Sequence, residues 1–400
     1  MKVLTVFGTR PEAIKLAPVV RALERRASDG VQAVVCVTAQ HRQMLDQVLA
    51  LFELRPAYDL GVMETNQTLA GVAAAVLARL EPVLRRERPD WVLVQGDTTT
   101  VAAAALAAFY AGARVGHVEA GLRTHDKWQP YPEEINRRVA GVIADLHFAP
   151  TERARENLLR EGVPPAQVVL TGNPVIDALR WVAARPPPAE ARALLARIGL
   201  GEGAADDRRL ILVTAHRREN FGAPLEAVCA ALREIAARGA GQVQIVYAVH
   251  LNPRVWEPVH RLLGDVPGVT LTPPLDYATL VHLLRRAHLA LTDSGGIQEE
   301  APGLGVPVLV LRDVTERPEA VEAGTVRLVG TDRARIVAET CRLLDDPAAH
   351  RRMSQAVNPY GDGRASERIV AALLGDAVEP FRPRCAAGAG PRAASGEGPA

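Results

Sequence analysis

The apolar run Leu289-Ala290-Leu291-Thr292 leads into Asp293-Ser294-Gly295-Gly296-Ile297-Gln298-Glu299-Glu300, and a second apolar run follows at Val308-Leu309-Val310-Leu311. Two short apolar runs flanking a polar segment of helix length predict a strand, a tight turn, a helix and a second, parallel strand. That unit belongs to sheets covered by helices on both faces. Ligands of such sheets bind beyond the carboxyl ends of the strands, which is where Asp293 stands. Ser294, Gly295 and Gly296 carry little bulk, so backbone N–H groups at a helix N-terminus can close on a phosphate. Glu300 follows about one turn later, placed to accept hydrogen bonds from sugar hydroxyls. The segment therefore predicts a site for a sugar nucleotide.

The same unit recurs along the chain. Val3–Phe7, Ala33–Val37, Trp91–Val94, Arg114–Val118 and Val168–Thr171 read as buried strands, with helical periodicity at Ile14, Ala17, Val20, Leu23 and at Leu45, Val48, Leu49, Phe52. After Arg185-Pro186-Pro187-Pro188 the pattern restarts, with strands at Leu210–Val213, Gln244–Ala248, Leu289–Leu291 and Val308–Leu311. Four hundred residues exceed what one core usually organises. The expected fold is α/β, with two Rossmann-like, doubly wound domains facing a cleft. Residues 1–172 form the N-terminal domain and 173–376 the C-terminal one, with a hinge near Gly172-Asn173-Pro174 and a last helix that packs back on the N-terminal domain. Residues 377–400 are rich in Gly, Ala and Pro and are expected to be a disordered tail.

A net charge of +1 gives no global field for nucleic acid or an acidic membrane, so any anion site must be local. No apolar run approaches the roughly 20 residues of a membrane span, and Met1–Gly8 lacks a signal-peptide layout. Cys36, Cys229, Cys341 and Cys385 are scattered without C-x-x-C spacing, as expected of free thiols in a reducing cytoplasm.

Polar clusters follow the strands. Gly8-Thr9-Arg10-Pro11-Glu12-Ala13-Ile14-Lys15 opens a helix with Arg10 and Lys15 near its N-terminus. Gly96-Asp97-Thr98 and Glu119-Ala120-Gly121 put a carboxylate after each of two strands, and Pro132-Glu133-Glu134 starts another helix. In the second half, His216-Arg217 and His250-Leu251 each follow a strand. Three carboxylates, two histidines and several cations at strand ends fit acid–base chemistry on an anionic substrate. Other chemistries lack their residues. No H-E-x-x-H, Walker A, G-x-S-x-G or complete dinucleotide fingerprint is present, and His117-x-Glu119 has no following Pro-Cys-x-x-Cys. Neither a metal nor another cofactor is expected.

Read in order, these segments resemble the bacterial, non-hydrolysing UDP-N-acetylglucosamine 2-epimerase family. The matching stretches are Phe7–Lys15, Thr38–Arg42, Gly96–Thr100, Gly116–Thr124, Pro132–Glu134, Gly172-Asn173, His216–Glu219, His250–Pro253, Asp293–Pro302 and Thr315–Glu319. The resemblance implies a glycosyltransferase-B-like fold, a cytoplasmic homodimer, and UDP-GlcNAc and UDP-ManNAc as substrate and product. By position it implies that Ser294, Gly295 and Gly296 hold the diphosphate and Glu300 the ribose, with Arg10, Lys15, His216 and Arg317 facing the nucleotide. Asp97, Glu119 and Glu133 would surround the sugar, with His216 joining the catalytic set, and Leu275 and Leu280 stand where the uracil pocket can carry a polar or aromatic residue. Gln40, Gln43, Glu133, Arg217 and His250 match the allosteric site of some members, although Asn66 stands where those members can carry Arg. Gln95 replaces a common His, and Ala248 a Pro. A hydrolysing epimerase, a glycosyltransferase of the same fold and a silent UDP-sugar sensor are the competing readings.

Overall fold

The computed structural model describes residues 1–38, 42–63, 67–201 and 208–383, excluding the side chains of 42–44. Two wholly parallel sheets organise the molecule. The first comprises β1 (Lys2–Phe7), β2 (Gln32–Val37), β3 (Tyr58–Asp59), β4 (Trp91–Gln95), β5 (Arg114–Val118), β6 (Leu146–Ala149) and β7 (Val168–Leu170), in the order β3-β2-β1-β4-β5-β6-β7. The second comprises β8 (Arg209–Thr214), β9 (Val243–Ala248), β10 (Val269–Thr272), β11 (Ala287–Thr292), β12 (Val308–Val310) and β13 (Val326–Leu328), in the order β10-β9-β8-β11-β12-β13. These are two Rossmann-like domains, as expected. Every residue of β4 is buried, because helices cover the sheet on both faces. Tyr58–Asp59, Leu146–Ala149, Val269–Thr272 and Val326–Leu328 are strands that apolar patterning does not reveal. Three of them are short edge strands, and β6 carries His147 in its middle.

Chain order reverses between β1 and β4 in one sheet and between β8 and β11 in the other. At such switch points the two neighbouring loops diverge and leave a crevice for a ligand. Both crevices carry the polar clusters found in the sequence.

The helix Pro174–Ala183 joins the halves. Its Val175, Ile176, Leu179 and Val182 share one apolar cluster with Leu16 and Val20 of the helix Arg10–Glu24 and with Ile297 and Ala301 of the helix Gly295–Gly303. The last helix, Ala365–Leu374, returns to the N-terminal domain, where Leu373 Cδ2 lies 3.8 Å from the place a Cβ on Gly116 would occupy. The tail expected from residue 377 is described as far as 383, and Phe381 anchors it to the N-terminal domain. Phe381 is buried, its N–H donates to Leu170 O at 2.8 Å, and the Arg368 guanidinium lies 5.8 Å from its ring. Residues 384–400 lie outside the described residues. Among the described residues no helix is long and apolar enough to cross a membrane.

Candidate active site

At the first switch point one side chain ties the two loops. Glu12 accepts from Gly8 N at 2.6 Å and Thr9 N at 2.8 Å, and Thr98 Oγ1 donates to its other oxygen at 2.5 Å. The Thr9 N bond and the return bond from Glu12 N to Thr9 Oγ1 form a capping box, so the helix Arg10–Glu24 starts at a fixed point beside the loop after β4. Burial raises the Glu12 pKa, against the pull of those bonds. Lys15 lies on the same helix and Arg10 opens it. Among the described residues Arg10 carries no ion pair, yet its charge bears on His216, Tyr277 and Glu300 of the other domain.

Glu119 follows β5 directly, with φ of +63°, a conformation that costs a non-glycine residue of order 1–3 kcal/mol and recurs at functional sites. Its carboxylate is fully engaged. Lys15 Nζ donates to both oxygens at 2.7 and 2.6 Å, Asn173 Nδ2 to Oε1 at 3.0 Å, and Gln95 Nε2 to Oε2. Burial opposes the charge, but Lys15 and Arg317 outweigh it and hold the pKa below the usual carboxylate value. Lys15 is raised in turn, burial again being outweighed by the charge of Glu119. Beside them His117 Nε2 contacts Gly96 O at 2.7 Å, and burial pushes this imidazole down to about 4, so it is neutral and donates. Asp97, 30% exposed, accepts from Arg137 Nη2, while Arg137 Nη1 donates to Glu134 Oε2 at 3.0 Å. Glu133 is half-buried, and its Oε2 has no hydrogen-bond partner.

The second switch point is organised by Asp293. Its Oδ2 accepts from His216 N and Arg217 N, both at 2.8 Å, and from Asn220 Nδ2 at 3.1 Å, joining the loops after β8 and β11. His216 Nδ1 lies 3.3 Å from Asp293 Oδ1, and its ring stacks on His250 at 5.7 Å. Burial lowers the His216 pKa, with Asp293 opposing. The Ser294 amide is already used, donating to Thr292 Oγ1 at 2.9 Å. The free amides of the predicted cradle are therefore those of Gly295 and Gly296, which open the helix Gly295–Gly303. No side chain caps that helix and its first turn holds no acid. Arg317 stands over this turn, its Nη2 3.8 Å from the place a Cβ on Gly295 would take. Its Nε donates to Glu299, and Glu299 Oε2 also accepts from Asn173 Nδ2 at 2.7 Å. Burial pushes Glu300 up to about 7, helped by the charge of Glu299, and Tyr277 Oη donates to it at 3.2 Å. The result is an uncapped helix N-terminus with Arg317 beside it, and with Glu316, whose Oε1 lies 2.9 Å from the same Cβ position on Gly295, neutralised by Arg217 and Arg312; the free amides suit a diphosphate.

Among the expected residues, Lys15, Glu119 and Arg317 belong to one network, Asp97 pairs with Arg137 of the helix that Glu133 opens, and Ser294–Gly296, Glu300 and His216 belong to the second half. Leu275 is buried in the apolar cluster that holds Tyr277 and Ile297, and Leu280, half-buried, packs against it. Of the allosteric set, Arg217 contacts Glu316 at 3.3 Å and His250 stacks on His216, whereas Gln40, Asn66 and the Gln43 side chain lie outside the described residues. Glu12, Gln95, Asn173 and Glu299 escape sequence reasoning as site-builders. Glu299 neighbours a predicted ligand, and Asn173 sits in the expected hinge.

Comparison with known proteins gives concordant results. The profile of a family described as UDP-N-acetylglucosamine 2-epimerase matches residues 21–374. The UDP-N-acetylglucosamine 2-epimerase of Salmonella typhimurium is 57% identical over 374 residues, covering 93% of this chain and 98% of that one. The chain is also similar to the crystal structure of UDP-GlcNAc 2-epimerase from Neisseria meningitidis bound to UDP-GlcNAc, with a TM-score of 0.84 and 47% identity over 94% of this chain and 100% of that one. A putative UDP-N-acetylglucosamine 2-epimerase from Listeria monocytogenes superposes with a TM-score of 0.86 at 48% identity, covering 94% and 96% of the two chains.

Proposed function

The chain belongs to the UDP-N-acetylglucosamine 2-epimerase family of isomerases, and from that premise we propose that it interconverts UDP-GlcNAc and UDP-ManNAc by the non-hydrolysing route. The observation that carries the reading is the two-sided site, with carboxylates on the N-terminal domain facing an anion cradle on the C-terminal one. C2–H of the sugar is not α to a carbonyl, so its direct removal would leave a poorly stabilised carbanion. Expelling UDP from C1 as the C2 proton leaves gives 2-acetamidoglucal instead. Returning a proton to the opposite face of C2 and UDP to C1 then gives the epimer. Departing diphosphate is stabilised by the Gly295 and Gly296 amides, the Ser294 hydroxyl, Arg10 and Arg317, with His216 and Lys15 beside it. Asp97, Glu119 and Glu133 supply proton transfer around C2, and Glu300 receives the ribose. Domain closure retains the glycal until UDP returns. ManNAc units made this way would serve cell-surface polysaccharide. An exposed apolar stripe, Ile135, Val139 and Val142 on the helix Glu133–Ile143, supports the pairing of two copies.

With UDP-GlcNAc as the only substrate, NMR is expected to show a stable mixture of two UDP-sugars. Quantitative release of free ManNAc and UDP would establish the hydrolysing reaction instead. The Glu300 pKa adds a pH signature. Ribose hydroxyls donate to the charged carboxylate, so binding favours the deprotonated form and UDP affinity should rise by about tenfold between roughly pH 6 and pH 8. The terminal phosphate of UDP ionises near this range (about 6), so calorimetry on Glu300→Gln isolates the protein's share. A slope identical in both proteins would remove Glu300 from the ribose.

A further inference from the structure

Asn173 stands where the chain leaves the first sheet for the helix that joins the domains. Its Oδ1 accepts from Val175 N at 3.2 Å and caps that helix, and its backbone N–H donates to Tyr360 O at 2.6 Å. With Oδ1 committed, the amide orientation is fixed and the NH2 group points the opposite way. There it meets two carboxylates from different domains, Glu119 Oε1 at 3.0 Å and Glu299 Oε2 at 2.7 Å. All three residues are buried.

We propose that Asn173 is a positioning residue, one amide that fixes Glu119 at the sugar side relative to Glu299 on the cradle helix. The inference rests on the epimerase reading of Glu119 as an acid–base group. Two buried carboxylates facing each other repel, and a donor with two hydrogens is a neutral way to hold both. Lys15 compensates Glu119 from the helix Arg10–Glu24, and Arg317 compensates Glu299 from the loop beside the cradle. The surrounding titratable groups include His117 on the strand before Glu119, Glu300 and Tyr360 beside Glu299, Glu316 beside Arg317 and Glu319 beside Tyr360. The charges are unequal, Glu119 being held down and Glu299 pushed up by burial. Arg317 also faces the diphosphate cradle, so the side chain that steadies Glu299 is the one a leaving UDP would engage. Through Asn173, the geometry of Glu119 depends on the two domains being docked.

The test is Asn173→Ser. Serine caps a helix as well as asparagine, but its single hydroxyl hydrogen cannot serve two carboxylates. The expected result is unchanged UDP affinity and kcat lower by about 10–100-fold, with a modest fall in the unfolding midpoint at neutral pH because two buried carboxylates lose a donor. Losing a donor to the charged form raises a carboxyl pKa, so the acid limb of the kcat profile should move up by about one pH unit. A carbon-13 titration of glutamate carboxyls in the ligand-free protein, assigned with Glu119→Gln, should show the same upward move. Parent values of kcat and of the Glu119 titration in Asn173→Ser would overturn the proposal, as would a fall in unfolding midpoint with the titration unmoved. Should the parent protein fail to epimerise UDP-GlcNAc, the functional reading falls while the carboxyl titration still decides the role of Asn173.

Discussion

Glu119→Gln is expected to lower kcat by ~10²–10⁴-fold, the usual contribution of a positioned acid–base group, while UDP affinity stays nearly constant. The split follows from the architecture. Glu119 stands in the turn after β5 of the first sheet, whereas the amides expected to hold UDP open a helix of the second half. Glutamine preserves shape and can still bond Asn173 or Gln95, but it gives Lys15 a neutral partner and cannot take a proton. Asp97→Asn should lose activity on the same scale, because Asp97 faces the same crevice on Arg137. Steady-state kinetics on both variants, with UDP binding by calorimetry, checks the assignment. Full turnover in both would remove these carboxylates from the chemistry, and an equal loss in kcat and UDP affinity would mean that they act on binding.

Arg317→Ala should cause the largest loss of stability. The guanidinium is nearly buried and bonds Glu299, whose carboxylate is 3% exposed. Burial opposes the charge on Arg317, but Glu299 and Glu119 raise its pKa, so it is firmly cationic. Removing one partner of a buried pair strands the other, at a cost of roughly 3–5 kcal/mol. Replacing both with apolar or neutral groups removes much of that cost. Arg317→Met combined with Glu299→Gln should therefore recover most of the urea unfolding midpoint and none of the UDP affinity. Recovery of both would show that Arg317 serves folding alone, and recovery of neither that the pair is not the source of the loss.

The parts of this site legible in the sequence are those that local pattern controls. A buried strand ending in a small-residue turn announces the cradle at Ser294–Gly296, and Asp97 and Glu119 announce themselves as carboxylates where strands open. What stayed hidden is the wiring between distant segments. The bonds of Asn173 reach residues 54 and 126 positions away, and only the docking of two sheets brings them together. Glu12 reads locally as a helix-capping acid, which it is, but its bond to Thr98 crosses 86 residues. The use of the Ser294 amide by Thr292 turns on backbone direction within a tight turn, beyond what composition can specify. Edge strands such as Val326–Leu328 are three residues long and place Arg327 outward, so no periodicity marks them. The packing of Phe381 against strand β7 is similar, a single aromatic side chain in a stretch otherwise poor in core residues.

The central claim is that this site removes and returns the C2 proton while UDP is detached. Incubation with UDP-GlcNAc in deuterated water, followed by proton NMR of the nucleotide sugars, tests it most directly. The expected result is loss of the C2 proton signal through deuterium uptake in a mixture of UDP-GlcNAc and UDP-ManNAc. Epimerisation with the C2 proton retained, or free ManNAc and UDP as the only products, would contradict it.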